Sequence, residues 1–395
     1  MSMGHLNRFC SLLAVVVAIT AAAGAGCGGN GETNAETRAA ASSAAAIDGN
    51  VAADVRDEAL AAARVWMPPP VPVGLANLRD NPPGPGAFRE DEEVACRFEL
   101  KTVGGLTPKF YCQLPNGDVV KIKYGSVNGE VYSEVAATRL LSAIGFPTDR
   151  MYVVKRVHCA GCPTYPFRAL QCFKSTGIKA GCFPGGVNYD RVVTFETAAI
   201  ERRFEGRKIE AVSDQGWAWH ELNRIDPSTG GSPQAEVDAL RLIAVVLAHW
   251  DNKGENQRLV CRPGADRPGG GCAAPLAIVQ DVGATFGPTR VDLNNWRRYR
   301  VWTDAKTCTV SMKSLPYHGA TFVDWRISEP GRTLLLGWLE QLTDGQLRDL
   351  FEGSRITTYD QVDAEARQAD AWVKAFREKV TQIREAGPCP GVTSS

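Results

Sequence analysis

Two short stretches, His249-Trp-Asp251-Asn-Lys253-Gly-Glu-Asn256 and Gln280-Asp281-Val-Gly283, carry the residue types that handle phosphate and metal. Between them the chain reads as two short strands, Arg258 to Cys261 and Leu276 to Asp281, joined by a glycine-rich link. Asn256 then starts one strand and Asp281 ends its neighbour, which brings both to one mouth where a metal could be held. An acidic residue, a lysine two on, an asparagine five on and a second Asp-x-Gly suit phosphoryl transfer from a metal-bound nucleotide. Asp251 would orient an attacking hydroxyl, Lys253 would face the phosphate being transferred, and Asn256 and Asp281 would bind the metal. Whatever fold this chain adopts has to assemble that mouth.

At 395 residues with 44% apolar side chains, the chain can bury a sizeable core in one large or two ordinary domains. Its 44 basic and 44 acidic side chains cancel, so overall charge points neither to nucleic acid nor to an anionic membrane surface as the main partner. The N-terminus is more informative. Arg8 precedes an apolar and small-residue run from Leu12 to Gly26 that ends at Cys27, and residues 1–27 read as an export signal. Gly24-Ala-Gly before Cys27 resembles a bacterial lipobox, with Gly24 where leucine is usual, so Cys27 would become the lipid-modified membrane anchor. A plain secretory signal or a single membrane anchor are the alternatives, the run being slightly short to span. All three put the body outside the cytoplasm, on a periplasmic or cell-surface face.

Of the 12 cysteines, Cys10 and Cys27 fall in this leader, and the remaining even set in an exported chain implies disulfides. Local spacing suggests Cys96 with Cys112, Cys172 with Cys182, Cys261 with Cys272, and Cys308 with Cys389. Cys159-Ala-Gly-Cys162 is left as a small structural disulfide loop, with a redox-active pair or half of a zinc site as alternatives. Residues 28–87 are rich in Ala, Gly, Ser, Asn and Pro and read as a disordered tether, with one short helix allowed from Val51 to Val65.

Cys96 to Tyr124 alternates like strands, with a turn at Pro115-Asn-Gly-Asp118 that signals a hairpin. Gly104-Gly105 would let backbone N–H groups approach phosphate oxygens, although most glycine pairs are simply turns. Lys121 and Lys123 share one face of their strand. A helix follows, with Asn128 as its N-cap and Gly145 and Pro147 after its end, and it carries Glu130 and Glu134 one turn apart. Glu130, in the first turn, is also explained by the helix dipole. Met151 to Val157 reads as a strand, Phe195 to Phe204 as a helix, and Ser232-Pro233 opens another helix leading to His249. Trp296-Arg-Arg-Tyr-Arg300 is either a docking surface for an acidic substrate or a Trp-packed loop with solvated arginines. Three helical stretches, Arg332 to Leu342, Gln346 to Phe351 and Asp363 to Ile383, end the chain.

Gly104-Gly105-Leu-Thr-Pro-Lys-Phe, Val120-Lys-Ile-Lys123, Glu134 with its following Ala-x-Arg-Leu-Leu, Asp251-x-Lys-x-x-Asn256 and Asp281-x-Gly283 together resemble the protein-kinase-like superfamily. The resemblance is to its atypical HipA-like and phosphoinositide-kinase-like branches, and it covers about Cys96 to Ile383. It lacks a G-x-G-x-x-G loop and an A-P-E segment, having only Ser328-Glu-Pro in that neighbourhood. The resemblance implies an α+β, two-lobed, kinase-like fold stapled by disulfides. A small β-rich N-lobe with one helix would span residues 88–157, and a larger, mainly helical C-lobe residues 158–389. It also implies that Lys123, with Lys121 as the alternative, holds nucleotide phosphates beside Gly104 and Gly105, and that Glu134 positions the lysine. ATP or another nucleotide and Mg²⁺ would be the cofactors, and a hydroxyl the acceptor, a protein ahead of a lipid or sugar. Nucleotidyl transfer is a variant. The rivals are a catalytically inactive, kinase-like scaffold lipoprotein of the cell envelope and a thiol-redox lipoprotein built on Cys159 and Cys162.

Overall fold

The computed structural model describes residues 50–213, 215–287 and 291–391. The expected export signal, Cys27, and the tether up to residue 49 lie outside the described residues. Among the described residues no helix is long and apolar enough to cross a membrane.

Helix α1 (Ala53–Ala61) precedes β1 (Glu93–Glu99), β2 (Lys109–Gln113), β3 (Val119–Tyr124), α2 (Glu130–Ala143), β4 (Arg150–Val153) and β5 (Arg156–Ala160). Then come α3 (Pro166–Thr176), α4 (Lys179–Cys182), β6 (Val192–Phe195) and β7 (Ala198–Arg202). Their strands form one seven-stranded sheet in the order β4-β7-β3-β2-β1-β5-β6, antiparallel except where β1 meets β5. The Asn116-Gly117 turn sets the β2–β3 register, with Gly117 at φ 89°, a conformation that favours glycine.

The second half holds β8 (Arg207–Lys208), α5 (Gln234–Leu247), β9 (Gln257–Cys261), β10 (Pro275–Val279) and α6 (Leu293–Arg298). It ends with β11 (Thr309–Val310), β12 (Trp325–Arg326), α7 (Glu329–Gln341), α8 (Asp344–Gly353) and α9 (Ala369–Glu385). The expected class therefore holds: an α+β chain, β-rich first and mainly helical afterwards, with disulfide staples. Cys96–Cys112, Cys159–Cys162, Cys172–Cys182, Cys261–Cys272 and Cys308–Cys389 are all bonded.

Period-two alternation sorts the sheet into two faces. Phe110, Val120, Ile122, Ala198 and Ile200 pack into one apolar cluster with the cysteines of β1, β2 and β5. Lys109, Lys121, Lys123 and Glu201 belong to the opposite face, where α2 lies. That helix is buried from Val131 to Leu141, which accounts for its small Ala136 and Ala137. The N-cap position is Gly129; the expected cap, Asn128, lies one residue earlier, and its side-chain oxygen accepts from the Glu130 N–H at 3.2 Å.

Three expectations are corrected. Phe195 to Phe204 is not a helix: β7 sits between β3 and β4, and both ladders claim its backbone. For the same reason the boundary at residue 157 fails, because the first sheet recruits strands through Arg202. The disordered tether does not extend to residue 87. From α1 onward Leu60, Ala63 and Val65 are buried, and the Arg56 guanidinium meets Glu221 at 2.9 Å. Trp66 stacks on Trp338 with ring centroids 5.1 Å apart. The segment builds no core of its own but contributes apolar residues to the helical core.

Smaller adjustments follow similar lines. Met151 to Val157 splits into β4 and β5, and α9 starts at Ala369, after a turn in which Asp363 accepts from the Ala366 N–H. Trp296 is fully buried and donates to the Val246 carbonyl at 2.8 Å, so the basic aromatic cluster is packed through its tryptophan.

Candidate active site

β3 carries Lys123 inward to a position with no solvent exposure. Its ammonium meets Asp281 at 2.7 Å and Glu130 at 3.1 Å, and forms a third ion pair with Glu134. Lys121, two residues back, is paired instead with Glu201 of β7 at 2.6 Å. Of the two lysines, the structure thus brings Lys123 to Glu134 and to the Asp-x-Gly segment. Glu130 belongs to the same set. Its four-residue spacing from Glu134 puts both carboxylates on one helix face, a signal that the dipole explanation masks. Lys109 also joins, 3.5 Å from Glu130 and close to Gly105.

The carboxylate oxygens of Glu130, Glu134 and Asp281 lie within 4.8 Å of one another. Three acids sharing one ammonium cannot all ionise equally. Burial pushes the Glu134 carboxyl up to about 8 against the pull of Lys123, with Asp281 and Glu201 adding to the rise. Burial opposes ionisation at Asp281 as well, but Lys123, Lys109 and Lys121 outweigh it and hold that carboxyl well below the usual range. Lys123 loses to burial and gains more from Asp281, Glu130 and Glu134, so its ammonium stays charged.

The second wall comes from the loop after α5. Ala248 turns the chain at φ 55°, and Asp281 sits at φ 51°; both are left-handed positions that a side chain occupies only when its surroundings hold it there. Asn252, which spacing alone did not single out, anchors this loop. Its side-chain oxygen Oδ1 accepts from the N–H groups of Thr321 and Phe322 at 3.0 and 2.9 Å, and its Nδ2 donates to the His249 carbonyl at 2.9 Å. Burial drives the His249 imidazole down to about 4, so it stays neutral, with Nε2 3.3 Å from the Gln257 amide. Asp251 then faces Lys253 at 3.1 Å, and the Asn256 amide donates to the Asp251 carbonyl at 2.7 Å. β9 and β10 are antiparallel, with Gln257 opposite Val279, so Asn256 and Asp281 flank one end of the pair.

A cavity of about 970 Å³ is lined by Gly104, Gly105, Asp251, Lys253, Asn256 and Asp281, together with Lys109 and Glu130. Lys123 and Glu134 lie behind this wall. Gly105, at φ 74°, belongs to the β1–β2 connection that roofs the cavity. Clustered carboxylates with an asparagine beside them are hard oxygen donors, a set that fits Mg²⁺.

No protein-family model and no curated protein matches this sequence. Among solved structures, that of a Helicobacter pylori proinflammatory kinase, CtkA, is similar at 10% sequence identity and a TM-score of 0.41. The match covers 75% of this chain and 97% of that one. At that score the likeness carries no argument about the activity of this chain.

Proposed function

We propose that the chain is a kinase-like phosphotransferase that moves a phosphoryl group from ATP or another Mg-nucleotide to a hydroxyl, a protein acceptor ahead of a lipid or sugar. One observation carries this reading: a fully buried lysine held by Glu130, Glu134 and Asp281, behind a cavity whose rim brings Asp251, Lys253 and Asn256 together. Mg²⁺, when bound, would neutralise charge on the phosphates, and Asp281, Asn256 and Glu130 are the residues to hold it. Asp251 would orient the acceptor hydroxyl and take its proton as the new O–P bond forms and the bond to the leaving phosphate breaks. Lys253 would offset charge on the transferred group, and Lys123, fixed by Glu134, would hold the remaining phosphates. Five disulfides accord with an oxidising location, and Cys27 would supply the membrane anchor.

One observation favours the rival, an inactive binding or scaffold lipoprotein. Lys123 has no exposed surface and is already paired with three acids, so a phosphate could reach it only if Asp281 or Glu130 gave way. A thermal-shift titration with ATP, with and without Mg²⁺, separates the two. At a ligand concentration 100 times Kd, binding to the folded state alone adds about 2.7 kcal/mol. The phosphotransferase reading expects Mg-ATP to raise the melting temperature of the parent and not of Asp281→Ala. No shift at millimolar nucleotide would leave the rival standing.

A further inference from the structure

The charged side chains of the sheet do not end at the main cavity. A second hollow of about 480 Å³ lies at the sheet end where β3 and β4 begin and β7 finishes, and Tyr111, Lys121 and Arg203 border both. Five cations line it, Lys101, Lys121, Arg150, Arg202 and Arg203, against three carboxylates. Each carboxylate is already taken: Glu201 by Lys121 at 2.6 Å, Asp118 by Arg202 at 3.0 Å and Glu205 by Arg150 at 3.7 Å. Lys101 and Arg203 are left over, and neither forms an ion pair among the described residues. They meet one buried ring instead. The Lys101 ammonium lies over Tyr111, 4.5 Å from its centroid, and the Arg203 guanidinium donates to the Tyr111 hydroxyl at 3.1 Å. Two like charges drawn to one side chain repel each other, and an anion between them would turn that cost into a gain. Arg202 and Arg203 are adjacent in sequence, so period two sends them to opposite faces of the sheet; both border the hollow because it lies at the strand ends. Arg202 is held there by Phe88, whose ring centroid is 5.1 Å away, and by the backbone of Gly86, where a Cβ would fall 2.7 Å from the guanidinium carbon.

We propose that this hollow is an anion site in its own right, beside the main cavity, and that it binds a short linear chain of phosphates. Guanidinium groups match phosphate oxygens two at a time, and the hollow gathers three of them with two ammonium groups. Its volume falls in the range of small-molecule sites and exceeds the needs of a single phosphate. The two cations in excess call for a ligand that carries more than one negative charge. Here the site differs from the main cavity, where Glu130, Asp281 and Asn256 face the ligand and suit a metal. In the hollow every carboxylate is engaged by a cation, so lysine and arginine meet the phosphate charge directly and binding needs no Mg²⁺. The inference does not depend on the phosphotransferase reading.

Calorimetric titration of the native full chain with sodium tripolyphosphate, in EDTA to remove metal, tests it. Saturable binding is expected. Lys101 and Arg203 are both exposed, so replacing them should leave the fold intact, and Lys101 borders only the smaller hollow. Lys101→Gln combined with Arg203→Gln should weaken the affinity by at least about tenfold. Lys253→Gln, which touches the main cavity alone, should change it by less than about twofold. Citrate, a polyanion without phosphate geometry, should bind at least about tenfold more weakly than tripolyphosphate. An absence of binding at millimolar tripolyphosphate would overturn the proposal. So would an equal loss in Lys253→Gln or a requirement for Mg²⁺, either of which would put the anion in the main cavity. Equal affinity for citrate would overturn the assignment of phosphate as the ligand.

Discussion

On one face of the seven-stranded sheet Phe110, Val120, Ile122 and Ile200 pack around the Cys96–Cys112 and Cys159–Cys162 bridges. On the other face the same strands present Lys109, Lys121, Lys123 and Glu201, all buried or nearly so. Both faces are withdrawn from water, but by opposite means. The first gains from apolar burial and from covalent ties that restrict the unfolded chain. The second takes charges out of water, and the mutual attraction of such charges often does no more than offset the desolvation. Apolar residues would have filled that space at least as stably. The charged face is therefore not explained by its contribution to stability alone.

The sharpest way to break this contrast is to remove the lysine. Lys123→Ala leaves Glu130, Glu134 and Asp281 facing one another without their ammonium, and should cost about 3–5 kcal/mol in urea unfolding at neutral pH. The loss should shrink in acid, as the carboxylates take up protons. Ile122→Ala, the neighbouring residue on the apolar face, should cost about 2–5 kcal/mol with no such pH dependence. If the Lys123→Ala loss were equally flat with pH, the two faces would not differ in the way described.

A smaller effect should appear in the parent itself. Glu134 keeps a proton up to about 8, whereas its unfolded value is 4.5. Between those values the folded state holds more protons than the unfolded one, so the stability from this group is full below 4.5 and is lost as pH rises toward 8. Asp281 runs the other way: its depressed carboxyl adds stability above its unfolded value of 3.8, lost as pH falls below it. The two windows are separate. Glu134→Gln should flatten the neutral slope and leave the acid limb in place, and an unchanged slope would assign the proton elsewhere.

What could be read from the residues follows the range of the interaction. Period-two alternation put Lys121 and Lys123 on one face, Asn116-Gly117 marked the hairpin, and close cysteine spacing matched the pairs that bond. The choice between the lysines needed Glu201, which is 80 residues from Lys121 and carries no local mark. The stretch Ala198–Arg202 reads as helix in isolation because nothing in it shows that two strands lie ready on either side. The short helix allowed between Val51 and Val65 is present as Ala53–Ala61, but the local composition does not show that Leu60 and Val65 join the helical core from a distant part of the chain. Asn252 hid within the very motif that drew attention to its neighbours, because its partners, Thr321 and Phe322, are remote in sequence.

The smallest expected change is also the most direct test of why the charges are there. Lys121 and Glu201 form a pair 2.6 Å apart, with side chains 16% and 2% exposed, on the same face as Lys123. Replacing only Lys121 by Met strands a buried carboxylate and should be clearly destabilising, by about 3–5 kcal/mol. Replacing both, Lys121→Met with Glu201→Met, removes the stranded charge and keeps similar volume, so the double variant should unfold within about 1 kcal/mol of the parent. Both residues border cavities, Lys121 the main cleft and both the smaller one beside it. If the pair serves a ligand, the double variant should stay as stable as the parent and still lose part of the Mg-ATP thermal shift. A double variant that is both less stable and equally responsive to nucleotide would mean that the pair holds the sheet together, and that the charged face is structural at this position.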